Sequence, residues 1–188
     1  MSPSTIACAR CGRSNLPVES FCVGCGLPLG GAQADEGAGG DALGPFEAPD
    51  PSEPDSFLLI RDLVGRSGYD ATASGHGWRM IVPLPLDRQQ AVYIGHAGSD
   101  HERRSLLALV SVCGPANDRD ARRVLKLNAR RGEGHYAIKV LRGEEYFVVI
   151  HNLPADAADQ IDAGALVRRI AEAADSLEDR LSRGRDLY

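Results

Sequence analysis

The chain has 188 residues, of which 43% are hydrophobic and 25% are charged, and its formal net charge is −5. No apolar run approaches the ~18 residues that a membrane-spanning helix requires, and residues 1–10 show neither the basic nor the apolar region of a signal peptide. These features exclude membrane, collagen-like and disulfide-rich classes, and they predict a cytoplasmic protein of one or two domains. Thiols stay reduced in that compartment, so we interpret the spacing of the five cysteines as metal chemistry.

Four cysteines near the N-terminus form two copies of one pattern, Cys8-x2-Cys11-Gly12 and Cys22-x2-Cys25-Gly26. A Cys-x2-Cys pair on a tight turn directs two thiolates at one point, and the following Gly permits the positive φ that such a turn requires. Two such turns complete a tetrahedral shell of four sulfurs, which predicts a closed, structural Zn²⁺ site. Its ligands are Cys8, Cys11, Cys22 and Cys25. Iron is an allowed competitor in the same shell, and metal binding is expected to supply the folding free energy of unit 1–29.

These cysteine pairs belong to a longer stretch that resembles a known family. Cys8-Ala-Arg-Cys-Gly, Asn15-Leu-Pro and Phe21-Cys-Val-Gly-Cys-Gly-Leu-Pro-Leu29 are similar to the short N-terminal zinc ribbons of bacterial proteins. The resemblance covers residues 6–29 and implies an accessory module without enzymatic activity, in which the four cysteines hold the metal. The chain departs from the family at Ala9, where a Pro is common. Some ribbons bind nucleic acid, but two arginines beside an acidic segment form a thin positive footprint, so we do not expect it here.

The middle segment, residues 30–56, carries the acidity of the chain. It contains seven Asp or Glu and no Lys or Arg, whereas each flanking segment has a net charge of +1. It also holds six Gly and four Pro. Such a composition buries too little apolar surface to offset the entropy of ordering, which predicts a disordered linker between unit 1–29 and a domain at 57–188. The alternative interpretation is a docking motif for a basic partner.

From residue 57 the hydrophobic pattern becomes periodic and predicts an α+β domain in the order α-β-β-β-α-β-β-α. Short connections favour antiparallel pairing, so we expect a sheet of about five strands packed with helices. The predicted helices span 58–66, ending at Gly68, then Asn117 to about Arg130, and finally the stretch from Ile161 to Leu181. The predicted strands are 78–82, which Pro83 ends, 91–94 and 106–113, followed by a hairpin of 136–141 and 146–150.

This order of elements is similar to the YbjN-like, type III secretion chaperone-like group. The stretches that carry the similarity are Trp78-Arg-Met-Ile-Val-Pro-Leu84, Leu125-Lys-Leu-Asn-Ala129, His135-Tyr-Ala-Ile-Lys139 and Glu145-Tyr-Phe-Val-Val149. It covers about residues 56–183 and implies a protein-binding or chaperone-like scaffold, often dimeric. The group shares no catalytic residue set, so the similarity assigns no functional residue by position.

Six basic residues on the helix after Asn117 are candidates for a partner-binding surface. Five of them recur at helical spacing within about a 100° arc, and the sixth extends the cluster at the helix end. They are Arg119, Arg122, Arg123, Lys126, Arg130 and Arg131. Such a face suits an acidic protein segment, including the chain's own linker, or a phosphate backbone. A solvated face without a partner is the ordinary alternative for an amphipathic helix.

The remaining candidates have structural interpretations. Cys113 lies in a predicted core strand and is expected to be a small core residue. The histidines at 76, 96 and 101 lack the spacing of a second metal site and are expected to be exposed at strand ends. The apolar stripe of the last helix is expected to cover the sheet, and an intersubunit seam in a homodimer is the alternative. That stripe consists of Leu166, Ile170, Ala173, Leu177 and Leu181.

Taken together, the sequence favours a non-enzymatic adaptor that binds another protein, so far unidentified. A structural zinc ribbon would be joined by an acidic linker to a chaperone-like domain. The alternative is a nucleic-acid-associated regulator that uses the ribbon and the basic helix at 119–131. An enzyme is the third possibility, because the sequence offers no acid–base pair, nucleophile, nucleotide loop or open metal site.

Overall fold

A computed structural model of the chain describes residues 5–7, 13–16, 45–46, 57–74 and 76–183. The four predicted zinc ligands lie outside the described residues, as does the predicted linker apart from Pro45 and Phe46. Near the N-terminus, β1 (Ile6–Ala7) and β2 (Ser14–Asn15) pair in antiparallel register.

From residue 57 the chain forms an α+β fold, as predicted, with a six-stranded antiparallel sheet. The helices of this part are α1 (Phe57–Ser67), α2 (Asp118–Asn128) and α3 (Ala163–Arg183), and a 3₁₀ helix at Ala155–Gln160 precedes α3. The strands are β3 (Ala71–Ser74), β4 (Gly77–Leu84), β5 (Arg88–Ser99), β6 (Ser105–Pro115), β7 (His135–Leu141) and β8 (Glu144–Pro154). Their order in the sheet is β3-β4-β5-β6-β8-β7.

The predicted number of strands is wrong by one, since β3 was not foreseen. Its sequence, Ala-Thr-Ala-Ser, consists of small residues without apolar alternation, and the strand exists through its pairing with β4. The prediction that Pro83 ends its strand is also wrong. Pro83 lies inside β4, opposite Gln89 of β5. The pairing of β3 with β4 ends at Met80 of β4, so at Pro83 this strand has no partner on the β3 side. A residue without a backbone N–H is tolerated at such an edge.

All three helices contribute to one core, on a side of the sheet that we name the inner face. Trp78, Met80 and Val82 point into this core, which confirms the alternation predicted for β4. α3 packs across β4, β5, β6 and β8, and α1 packs against α3. The apolar stripe of α3 is therefore buried against the sheet of its own chain, as its spacing predicts.

The opposite side of the sheet, the outer face, carries a smaller apolar cluster. Ala108, Val110 and Val148 are its buried residues, and Phe46 packs against them. No residue of the described helices belongs to this cluster. The sheet is thus covered by helices on its inner face and contacted by a residue from the 30–56 segment on its outer face.

The inner core predicts a large difference between two leucine truncations. Leu109 is fully buried in β6, whereas the side chain of Leu86 is 87% exposed in the β4–β5 turn. Leu109→Ala leaves a cavity among packed neighbours, so we expect it to lower the free energy of unfolding by about 2–5 kcal/mol. Leu86→Ala should change it by less than about 0.5 kcal/mol. Chemical denaturation of both variants measures the difference, and similar values would contradict the assigned core.

Candidate functional site

Helix α2 lies beside the edge strand β7, and its sequence explains where it starts. The side chain of Asn117 accepts a hydrogen bond from the backbone N–H of Asp120 at 2.9 Å, which confirms the predicted N-cap. Asp118 and Asp120 in the first turn and Lys126 in the last turn suit the helix dipole. Val124 is the buried residue of this helix, so most of α2 faces solvent.

Five of the six predicted basic residues are exposed to solvent. They are Arg119, Arg122, Arg123, Lys126 and Arg130. The predicted helix extended to about Arg130. Because α2 ends at Asn128, Arg130 lies just beyond its last turn. The guanidinium of Arg123 pairs with the carboxylate of Asp120 at 3.4 Å, but its side chain remains 77% exposed and able to exchange this partner for another.

The sixth residue, Arg131, is half-buried and bonds to other residues of the domain. Its guanidinium donates hydrogen bonds to the hydroxyl of Tyr136 at 3.1 Å and to the carbonyl of Glu133 at 2.9 Å. It also stacks on the ring of Tyr136, with 4.6 Å between the guanidinium carbon and the ring centroid. We therefore separate Arg131 from the exposed basic face of α2.

Tyr136 connects this region to α3. Its hydroxyl donates a hydrogen bond to the carbonyl of Ala173 at 3.0 Å, and burial raises the pKa of the phenol. The side chain of Asn128 bonds both the backbone N–H (2.7 Å) and the carbonyl (3.0 Å) of Tyr136. Because Asn128 is the last residue of α2, these contacts fix the position of α2 relative to β7 and α3.

A groove lies between α2 and the C-terminal part of α3; we name it the α2–α3 groove. It consists of two adjoining hollows of 210 and 230 Å³. Its apolar residues are Pro115, Val124, Leu127, Leu177 and Leu181, and its charged residues are Arg119, Asp120, Arg123, Lys126 and Arg180. Val124 and Leu177 are buried members of the main core, so the floor of the groove is the edge of that core.

The lining of the α2–α3 groove favours the side chains of a partner segment as its occupant. Four basic residues and one acidic residue surround an apolar floor. This combination suits an apolar side chain flanked by carboxylates, because the floor removes the former from water while the rim pairs with the latter.

Of the six predicted basic residues, only Arg119, Arg123 and Lys126 line this groove. Arg180 and the apolar floor were not among the predicted site residues. Leu177 and Leu181 belong to the apolar stripe of α3, which the sequence pattern predicts to cover the sheet, with an intersubunit seam as the alternative. No local pattern indicates that the end of α3 lies beside α2.

The other flank of α3 is acidic. Asp175, Glu178 and Asp179 line a hollow of 330 Å³ together with the start of β5, where Arg88 pairs with Asp175 at 3.0 Å. The two sides of the C-terminal half of α3 therefore carry opposite charge. An acidic ligand would be attracted to the groove side and repelled from this one.

The structure confirms that Cys113 is a core residue, whereas the expectation that the histidines are exposed at strand ends is wrong for His96, which lies within β5. Cys113 is buried, and burial raises the pKa of its thiol to about 12, so the thiol stays protonated and unreactive at neutral pH. His76 and His101 are exposed, and His96 is buried with its Nδ1 3.4 Å from the hydroxyl of Ser105. Within the described residues, no group of three or more His, Cys, Asp or Glu side chains is placed to hold a metal ion.

The described N-terminal strands flank the first cysteine pair. Ala7 lies opposite Ser14, so the sequence that contains Cys8 and Cys11 connects two antiparallel strands. The side chain of Asn15 is buried and donates hydrogen bonds to the carbonyls of Arg13 (2.7 Å) and Ile6 (3.3 Å). Four thiolates at this spacing are a donor set that suits Zn²⁺.

Comparison with protein-family models found none that matches the chain, and comparison with curated proteins found no significant match. Among the helices of the described residues, none combines the length and the apolar character needed to cross a bilayer.

A charged cluster between α3 and the β7–β8 hairpin makes stability depend on pH. Glu133 accepts two hydrogen bonds from the guanidinium of Arg169, at 2.5 and 3.0 Å, and these lower the pKa of the carboxylate. The nearby His151 is half-buried, and loss of hydration lowers the pKa of its imidazole below the ordinary 6.5. In both cases the unfolded chain binds protons at a higher pH than the folded chain.

We therefore expect the free energy of unfolding to fall in two stages on acidification. The first stage begins as the pH drops below 6.5, where the unfolded state protonates His151 and the folded state does not. The second begins below about 4.5, where the unfolded state protonates Glu133. His151→Asn should remove the first stage, and Glu133→Gln should reduce the second, to which Asp100 also contributes because hydrogen bonds from Arg104 lower its pKa; denaturation between pH 8 and about 3.5 measures both. A wild-type profile that is flat between pH 6.5 and about 5 would contradict the assignment to His151.

Proposed function

We propose that the protein is a non-enzymatic adaptor whose α2–α3 groove binds an acidic segment of another protein. The observation that carries this proposal is the joining of an exposed basic rim to an apolar floor in one groove. A partner helix or extended segment would place an apolar side chain against Leu177 and Leu181. Its carboxylates would pair with Arg123 and Arg180, since guanidinium groups pair with carboxylates through two parallel hydrogen bonds.

The apolar floor is what favours a protein partner over nucleic acid. A phosphate backbone needs a continuous basic track and gains nothing from a surface of leucine and valine. The basic face of α2 is interrupted by Asp118 and Asp120, and the far flank of α3 is acidic. Binding of nucleic acid is therefore kept as an outcome of the test below and not as a second proposal.

For the N-terminal unit, we propose a structural zinc ribbon held by Cys8, Cys11, Cys22 and Cys25. The repeated Cys-x2-Cys-Gly spacing and the β1–β2 pairing around the first pair support this proposal. With four thiolate ligands the metal has no coordination position left for a reacting water, so its role would be to stabilise the unit. The adaptor would then carry one metal-stabilised module and one module for binding a partner, in the cytoplasm.

The groove proposal predicts how one charge reversal affects binding. The probe is a fluorescent designed helix with Leu at i and i+4 and Glu on both flanks of this pair. Arg180→Glu places a carboxylate in the basic rim, so we expect at least a ~tenfold loss of affinity, measured by fluorescence anisotropy in 50 mM NaCl. The matched control is Arg61→Glu on α1, an equal change of charge at an exposed position outside the groove, and it should bind as the wild type does.

Two results would contradict the groove proposal. One is equal affinity of wild type and Arg180→Glu for the designed helix. The other is tighter binding of the wild type to a random-sequence DNA duplex than to the helix, with a steep dependence on salt, which would favour the nucleic-acid alternative.

The ribbon proposal predicts about one zinc ion per chain in protein purified under reducing conditions. The double variant Cys11→Ser, Cys25→Ser removes one ligand from each pair and should lose the metal. Cys113→Ala alters the buried thiol of β6 and should keep it. Elemental analysis measures all three proteins and also distinguishes zinc from iron. A wild-type protein without a stoichiometric transition metal would refute the predicted site.

A further inference from the structure

The outer face of the sheet carries a row of residues with little or no side chain. Gly77 of β4 lies directly opposite Gly95 of β5, and Gly95 lies opposite Ala108 of β6. Ser74 of β3 lies opposite Gly77 and extends the row to the edge of the sheet. Residues paired in this way point to the same side of a sheet, so the row leaves a shallow trough across three strands and the edge strand.

The ring of Phe46 lies in this trough. A Cβ atom added at Gly95 would sit 2.5 Å from both Cγ and Cδ2 of Phe46, and its three nearest neighbours are all atoms of that ring. Gly95 is not among the residues with positive φ, so its backbone does not require glycine. Gly77 is less informative, because a Cβ there would also collide with the carbonyl oxygen of Ile94. Gly95 therefore marks a close approach made by the aromatic ring.

Around the trough, the outer face provides apolar and cationic contacts for the ring. The buried residues of its cluster, Ala108, Val110 and Val148, are at most 3% exposed, and Phe46 packs against this cluster. The ammonium of Lys139 lies 6.0 Å from the centroid of the Phe46 ring, at the outer limit of a cation–π contact. The trough thus has the size and the lining to accept one aromatic side chain.

We propose that this trough is a docking site for an aromatic side chain, and that Phe46 occupies it as a latch from the chain's own 30–56 segment. An occupant tethered to its site has an effective concentration of the order of millimolar. It therefore excludes weakly binding aromatic segments and yields to a partner segment that binds more tightly. The outer face is then a second protein-binding surface, separate from the α2–α3 groove and closed while Phe46 is docked.

The test uses the full chain and a fluorescent peptide with the sequence of residues 41–51. In the Phe46→Ala protein the trough is vacated, so we expect the peptide to bind at least ~tenfold more tightly than it binds wild type. Leu86→Ala removes an exposed apolar side chain elsewhere and should bind the peptide as the wild type does. Because the peptide is acidic, a second peptide with Phe46→Ala controls for binding through charge, and it should bind neither protein.

A variant of the trough itself completes the experiment. Phe46→Ala combined with Gly95→Ala places a methyl group where the ring would lie, so the peptide should lose at least ~tenfold in affinity relative to Phe46→Ala alone. Thermal unfolding shows whether this double variant is folded, and if it is not, the comparison of Phe46→Ala with wild type decides alone. The proposal would be overturned if wild type and Phe46→Ala bound the peptide with equal affinity. It would also be overturned if Phe46→Ala bound both peptides equally well. Arg180→Glu should leave peptide binding to Phe46→Ala unchanged, so this proposal and the groove proposal fail independently.

Discussion

The packing of α3 on the inner face of the sheet is the interaction on which the rest of the domain depends. A helix of 21 residues is about 32 Å long, enough to cross several strands of the sheet. Its apolar stripe is buried against four of the six strands, α1 packs on it, and Tyr136 of β7 bonds to its backbone. Burial of this stripe removes apolar surface from water, which favours the arrangement of the sheet and α1 around it.

The basic α2–α3 groove and the acidic flank of α3 both result from the position of this helix. Its last two turns extend beside α2, where Leu177 and Leu181 meet Val124 and Leu127 and form the floor of the groove. The same turns carry carboxylates on the side that faces β5. A single helix therefore separates a basic, partly apolar groove from an acidic flank, and this separation gives an incoming charged partner one preferred side of the domain.

The sequence predicts those elements whose apolar residues recur at a regular spacing. The 3.6-residue period of α3, the alternation in β4 and the cap at Asn117 are local signals, and the structure confirms them. A helix also forms where α1 was predicted, but Leu58 and Leu59, on which that prediction rested, are exposed. The sequence does not predict β3, whose small residues carry no pattern. It also does not predict that Arg180 lines the groove, since this depends on where α2 and α3 meet. Phe46 is a lone aromatic in an acidic, Gly- and Pro-rich segment, and its site contains glycines, which contribute nothing to a hydrophobic pattern. The zinc ligands are the reverse case, since their spacing is a strong signal but they lie outside the described residues.

The contact between Phe46 and Gly95 ties together two positions that are nearly fifty residues apart in the chain. A larger residue at 95 excludes the ring of Phe46 from the trough, so a change at one of these positions alters what the other can do. Substitutions that look neutral in one sequence background would then be harmful in another. In related chains, the two sites would be expected to vary as a pair, which places a constraint on the acidic segment that its composition does not reveal.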